Sequence, residues 1–161
     1  MKQIFEFTFV LGPDASPNDK ALEDRLVQAG CDDALICAYG KTVFLQFERE
    51  ATTARHALQS ALRNICNAGF SIHAIEESGC ASVSEMAQRS GLSRSAIDNY
   101  LKGRRGGEGF PNPVSGLSSK SPQFYWPEVA KWLYREGKIE KRIFDVAIAA
   151  RKVDLAEICR L

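Results

Sequence analysis

The sequence is poor in the groups that carry out most chemistry. Its 161 residues contain two histidines; His56 sits in a helical pattern beside no paired ligand, and His73 lies in a strand pattern. The cysteines, Cys31, Cys37, Cys66, Cys80 and Cys159, are odd in number, and no two stand in CxxC spacing. That pattern excludes a disulfide framework and reads as reduced thiols. No GxSxG elbow is present. The one glycine-rich run, GRRGGEG at 103–109, follows a helical pattern rather than a strand, which is the wrong setting for a phosphate loop. No apolar stretch approaches the ~18 residues of a membrane span. Glu6 interrupts the first apolar segment, and no small-residue cleavage pattern follows it. The expectation is a cytoplasmic protein that is not an enzyme, binds no membrane and needs no metal or cofactor.

What is present is a division of charge. The formal net charge is +1, but residues 1–80 carry seven Lys or Arg against eleven Asp or Glu, a net of −4. Residues 81–138 carry nine against five, a net of +4. An acidic half joined to a basic half implies that the second half alone meets a polyanion.

Residues 2–10 alternate, with Phe5, Phe7 and Phe9 on one face, and predict a strand. Ser16 and Pro17, with Asp19 following, predict the start of a helix whose stripe is Leu22, Leu26 and Ala29 and whose end is Gly30. Strands are expected at 33–39 and 41–48 around Gly40, the second carrying Val43, Leu45 and Phe47 on one face. Ala54, Ala57, Leu58, Ala61, Leu62, Ile65 and Cys66 follow helical spacing up to Gly69. A last strand would hold Phe70, Ile72 and Ala74 on one face. The order β-α-β-β-α-β predicts an α+β, ferredoxin-like sandwich over residues 1–76, an antiparallel sheet with two helices on one side. RNA-recognition domains share that order, but Gly40 to Phe47 reads GKTVFLQF, without the basic-Gly start and with Thr42 at the first stacking position. In an acidic domain, Phe44 and Phe47 read as packing residues. Dimerisation, or docking of a small ligand or partner protein, is the expected role.

Residues 76–81 are small and polar and read as a linker. Ser82 and Glu85 have the spacing of a capping box, opening a helix to about Ser90. Gly91 allows a tight left-handed turn, Ser93 caps a second helix at 94–102, and Gly103 ends it. Ala87 stands four before Gly91 and Ile97 six after it. Two steeply crossing helices need a small residue at the first point and a branched apolar residue at the second. Val83, Met86, Leu92, Tyr100 and Leu101 complete the apolar set. Arg94, Ser95, Asp98, Asn99 and Lys102 are left outside, polar groups on a helix suited to the major groove.

Arg104 and Arg105 lie in a flexible glycine loop suited to phosphates. Phe110 to Val114 (FPNPV) and Gln123 to Trp126 (QFYW) predict a β-hairpin, and Pro127 opens a helix with Val129, Ala130, Trp132 and Leu133 inward and Gly137 at its end. Over residues 82–135, this succession resembles the winged helix-turn-helix of the MerR and excisionase type. The resemblance implies that the second helix reads double-stranded DNA through Arg94, Ser95, Asn99 and Lys102, with Ser93 at a phosphate. It also implies wing contacts from Arg104, Arg105, Ser119 and Lys120, with Tyr125, Trp126 and Trp132 in the core. Arg94 suits guanine and Asn99 adenine. MerR regulators carry the winged helix first and a long coiled coil after it. Here the order differs, so their effector mechanism does not transfer.

The winged domain is expected at 81–138 and a helical tail at 139–161. Ile139, Ile143, Val146, Ala150 and Val153 form a short seam, open to either a second chain or the same domain, and Asp154 with Glu157 could start a separate helix. The function expected is sequence-specific DNA binding by a prokaryotic transcriptional regulator acting as a homodimer. The alternatives are an excisionase-like or antitoxin-like DNA-binding protein whose first domain holds a partner, or a protein-interaction adaptor that never touches nucleic acid.

Overall fold

A computed structural model describes residues 1–153. Asp154, Glu157 and Cys159 lie outside the described residues. Among the described residues the chain is α+β, with a four-stranded antiparallel sheet and six helices, and it divides into two compact units, one built on residues 1–76 and the other on Glu77–Arg151. No described helix is long and apolar enough to cross a membrane.

In the first unit, β1 (Gln3–Leu11), α1 (Leu22–Gln28), β2 (Ala34–Tyr39), β3 (Thr42–Ala51), α2 (Ala54–Asn67) and β4 (Ile72–Ile75) follow one another, and the strands pair in the order β2-β3-β1-β4. Alternation decides which face is covered. Phe5, Phe7, Phe9 and Leu11 of β1 are buried, as are Val43, Leu45 and Phe47 of β3, while Glu6, Gln46 and Glu48 face outward. Phe47 stacks on Phe7 with centroids 5.2 Å apart, whereas Phe44 lies half-buried on the other face. α2 contributes Ala57, Leu58, Ala61, Leu62 and Ile65 to the core, and the Thr53 hydroxyl caps it by accepting from the His56 amide.

Three expectations for this unit change. Ser16 and Pro17 begin turns, not a helix, and α1 starts at Leu22. The Ser16 hydroxyl accepts from the Asn18 amide, and the Asp19 carboxylate accepts from the Ala21 amide at 2.9 Å. Such short-range bonds satisfy the backbone without a helix. The last strand starts at Ile72, and a register shift opposite Val10 and Leu11 turns Ile72 and Ile75 inward in place of Ala74. Arg49, read only as a charge in the sequence, is 7% exposed on the covered face of β3. Its guanidinium donates to both Asp33 oxygens (2.7 and 2.8 Å), to Asn64 Oδ1 (2.7 Å), to Ser60 Oγ (3.2 Å) and to the Gly30 carbonyl (2.8 Å). α2 and the α1–β2 connection therefore meet on the covered side of the sheet through a single cation.

The second unit contains a 3-10 turn (Glu76–Ser78), β5 (Cys80–Ala81), α3 (Val83–Ser90), α4 (Arg94–Leu101), β6 (Phe124–Tyr125), α5 (Trp126–Arg135) and α6 (Lys141–Lys152). The expected linker at 76–81 is instead part of this unit, because β5 pairs antiparallel with β6 and the Trp126 amide donates to the Gly79 carbonyl. The expected strand at 110–114 does not form. Pro111 and Pro113 supply no amide hydrogen. What remains of the hairpin is the Val114 amide on the Gln123 carbonyl (2.8 Å) and a single bridge between Ser115 and Gln123. Of the two alternatives for the tail at 139–161, the described part accords with packing on its own domain. Ile139 and Ile143 pack against the second unit's own core and Ala147 is within it, so their side of the seam is already covered.

Among the described residues, Cys31, Cys37, Cys66 and Cys80 form no disulfide. Burial pushes the Cys31 thiol up to about 11, although Arg49 nearby favours the thiolate. Two tests follow from this unit. Arg49→Lys, which cannot reproduce the fork to Asp33, should cost about 3 kcal/mol in urea unfolding, and Arg49→Met should restore part of that loss only if Asp33 is also made neutral. At pH 8, a thiol reagent should modify exposed Cys80 rapidly and Cys31 only as fast as the protein opens, since little thiolate exists there.

Candidate nucleic-acid interface

The helical pair is assembled from local chemistry. The Ser82 hydroxyl accepts from the Glu85 amide, and the Glu85 carboxylate accepts from the Ser82 amide, a complete capping box on α3. Gly91 takes φ 73°, and the next amide, Leu92, donates to the Ser90 hydroxyl. Ser93 then caps α4 by accepting from the Ala96 amide at 3.0 Å. Met86, Ala87, Ile97 and Tyr100 are buried in one cluster with Phe124, Trp126, Val129, Trp132 and Leu133, so α3, α4 and α5 share a core. Val83, Leu92 and Leu101 pack at its margin.

With Ile97 and Tyr100 turned inward, α4 presents Arg94, Ser95 and Lys102 to solvent, with Asn99 half-buried at its edge. Lys102 is held by Asp98 at 2.8 Å one turn earlier, so its charge is partly neutralised. The Ser93 hydroxyl is committed as an acceptor to its own helix and keeps only its proton to offer a phosphate.

α4 ends in a Schellman motif. Gly103 adopts φ 71° and its amide donates to the Tyr100 carbonyl, while the Arg104 amide reaches back to the Asn99 carbonyl at 2.8 Å. The Arg105 amide shares that carbonyl at 3.3 Å. The glycine loop is therefore not the flexible segment expected. Gly106, at φ 81°, lies against the rings of Trp132 and Tyr100, and an added Cβ would come within 2.8 Å of Trp132. The Trp132 indole N–H donates to the Glu108 carbonyl at 3.0 Å, and Arg135 donates to the same oxygen at 3.3 Å. Phe110 packs edge-on against Trp132 and Phe124, with centroids 5.0 and 5.9 Å away. Arg104 and Arg105 are exposed side chains on an anchored backbone.

Ser119 and Lys120 lie apart from these, on the turn between Gly116 and Ser121, which is closed by the Ser121 amide on the Gly116 carbonyl at 3.0 Å. Both are exposed, and Lys120 is held at φ 60°. The nine expected contact residues thus form two groups: Ser93, Arg94, Ser95, Asn99, Lys102, Arg104 and Arg105 on and just beyond α4, and Ser119 with Lys120 on the hairpin turn. Among the described residues, Arg94, Arg104, Arg105 and Lys120 have no acidic partner. The anchoring of the loop by Trp132 and Arg135 is invisible in the sequence, where Trp132 reads only as an apolar-stripe residue.

His73 and Glu76 stand in HxxE spacing, but no three His, Cys, Asp or Glu side chains among the described residues gather as a metal would need. No protein-family model matches the chain, and comparison with curated proteins and with solved structures likewise finds no match.

Gly106→Ala should lower the stability of the protein by about 2 kcal/mol, combining left-handed strain with overlap on Trp132. Thermal unfolding reads that loss. Gly107→Ala, whose Cβ would meet only the mobile end of Glu136, should cost less.

Proposed function

We propose that the chain is a sequence-specific DNA-binding protein, a prokaryotic transcriptional regulator working in the cytoplasm. Its α4 would enter the major groove, and the Arg104–Arg105 loop and the Lys120 turn would grip the flanking backbone. The observation that carries this reading is the set of four exposed, acid-free cations, Arg94, Arg104, Arg105 and Lys120, on and around a solvent-facing helix. A helix and basic loop of this kind have the positioning and reading contacts that duplex recognition uses.

The architecture supports the reading at two points. The strand order β2-β3-β1-β4, with helices on one face, accords with a ferredoxin-like sandwich. The α3-turn-α4 pair, the short β5–β6 ladder and the hairpin turn accord with a winged helix of the MerR and excisionase type. The adaptor alternative calls for the basic groups to be neutralised by acids on folding, and among the described residues only Lys102 of the α4 and wing cations has such a partner. In a dimer, two heads would meet half-sites about one helical turn apart.

A gel-shift titration against genomic fragments tests the proposal. Binding should weaken steeply with salt through counterion release. Lys120→Ala should reduce the salt slope by about one and weaken all sequences alike, whereas Arg94→Ala should cost about 1–3 kcal/mol and relax preference at one base pair. Absence of binding at low salt, or binding indifferent to Arg94→Ala and Arg104→Ala together, overturns it.

A further inference from the structure

We infer that the free edge of β2 is the seam of a homodimer, pairing antiparallel with β2 of a second copy of this chain. β2 is the outermost strand of its sheet. The two-residue loop of Gly40 and Lys41 makes Tyr39 and Thr42 the first hydrogen-bonded pair of the hairpin. Hydrogen bonding then alternates, so the amides of Leu35, Cys37 and Tyr39 turn to β3 and those of Ile36 and Ala38 turn outward. Among the described residues these outward groups have no backbone partner.

Exposed edges are ordinarily guarded by charge, proline, a bulge or shortness. β4, the opposite edge, has four residues and a register shift. β2 has six residues, ALICAY, in unbroken register with β3 and with neither a charge nor a proline. Its open face carries Leu35, 64% exposed, and Tyr39, 84% exposed.

The strand complements itself in one register. With Cys37 opposite Cys37 of the second copy, Ile36 faces Ala38 twice, and all four outward amides and carbonyls of that pair are satisfied. Leu35 then lies beside Tyr39 of the other copy, also twice, an aliphatic–aromatic cross-strand pair. The ends match in charge. Exposed Asp32, with Asp33, precedes the strand and exposed Lys41 follows it, so each copy's acidic end meets the other's lysine. No like charges face one another along the seam, which favours a second copy over a strand of arbitrary sequence.

This inference is independent of DNA binding, and its test contains no DNA. Sedimentation equilibrium of the full chain should show a monomer–dimer equilibrium. Cys37 stands at a non-hydrogen-bonded position of the seam, where paired Cα atoms lie about 4.5 Å apart, within disulfide range. Copper phenanthroline should therefore oxidise the two Cys37 thiols to an intermolecular disulfide, located by peptide mapping in a Cys80→Ser background. Ala38→Lys should raise the dimer dissociation constant at least tenfold, and Ile36→Pro, which removes an outward amide hydrogen, should do the same. Cys37→Ser should abolish the cross-link and leave dimerisation intact. Circular dichroism of each variant separates loss of the dimer from loss of the fold. A monomer at all concentrations overturns the inference. So does a dimer that neither cross-links at Cys37 nor responds to Ala38→Lys, since its interface then lies elsewhere.

Discussion

Trp132 is the point on which the second unit turns. Its ring packs against Tyr100 on the inner side of α4 and against Phe110 after the glycine loop, and its indole N–H holds the Glu108 carbonyl. One side chain of α5 thereby fixes the inner side of the exposed helix and the backbone of the loop that continues from it. Gly106 lies against the same ring, where a Cβ has no room. A basic loop free in solvent would lose backbone entropy on meeting a ligand, about 1–2 kcal/mol per residue ordered. Here the Schellman bonds to Asn99 and the bond from Trp132 have already fixed that backbone, leaving side-chain ordering as the main entropic cost for Arg104 and Arg105.

The first unit uses the opposite strategy with its cation. Arg49 is drawn into the covered face of the sheet and surrounded by acceptors: both oxygens of Asp33, two side chains of α2 and the Gly30 carbonyl in the α1–β2 connection. A buried guanidinium is tolerated only when its donors are met, and here they are. Arg104 and Arg105 on one unit and Arg49 on the other are the same residue type with opposite fates, decided by whether the surrounding segments bring carboxylates and carbonyls within reach. Net charge by segment therefore shows which half carries excess cations, but not which individual cations remain available.

Much of the fold is legible because its determinants are local. Ser82 with Glu85, Gly91, Ser93 and Gly103 each satisfy or terminate a helix through bonds within a few residues, so α3 and α4 are readable almost to the residue. The alternation of Phe5, Phe7 and Phe9 and of Val43, Leu45 and Phe47 likewise fixes which side of the sheet is covered. Ser16 misleads because a serine that caps and a serine that closes a turn make similar local bonds. The linker at 76–81 misleads because its strand pairing depends on Phe124 and Tyr125, which are remote in sequence.

The sequence by itself determined the paired helices α3 and α4 around Gly91, which residues of α4 face solvent and the placement of positive charge in the second half, since caps, periodicity and composition are properties of short segments. Tertiary structure alone decided that the glycine loop is anchored, that Lys102 is tied to Asp98, and that, among the described residues, Arg94 has no acidic partner and the outer edge of β2 no backbone partner. Each of those depends on which distant groups arrive within hydrogen-bonding distance of one another, or fail to, and no local pattern encodes that.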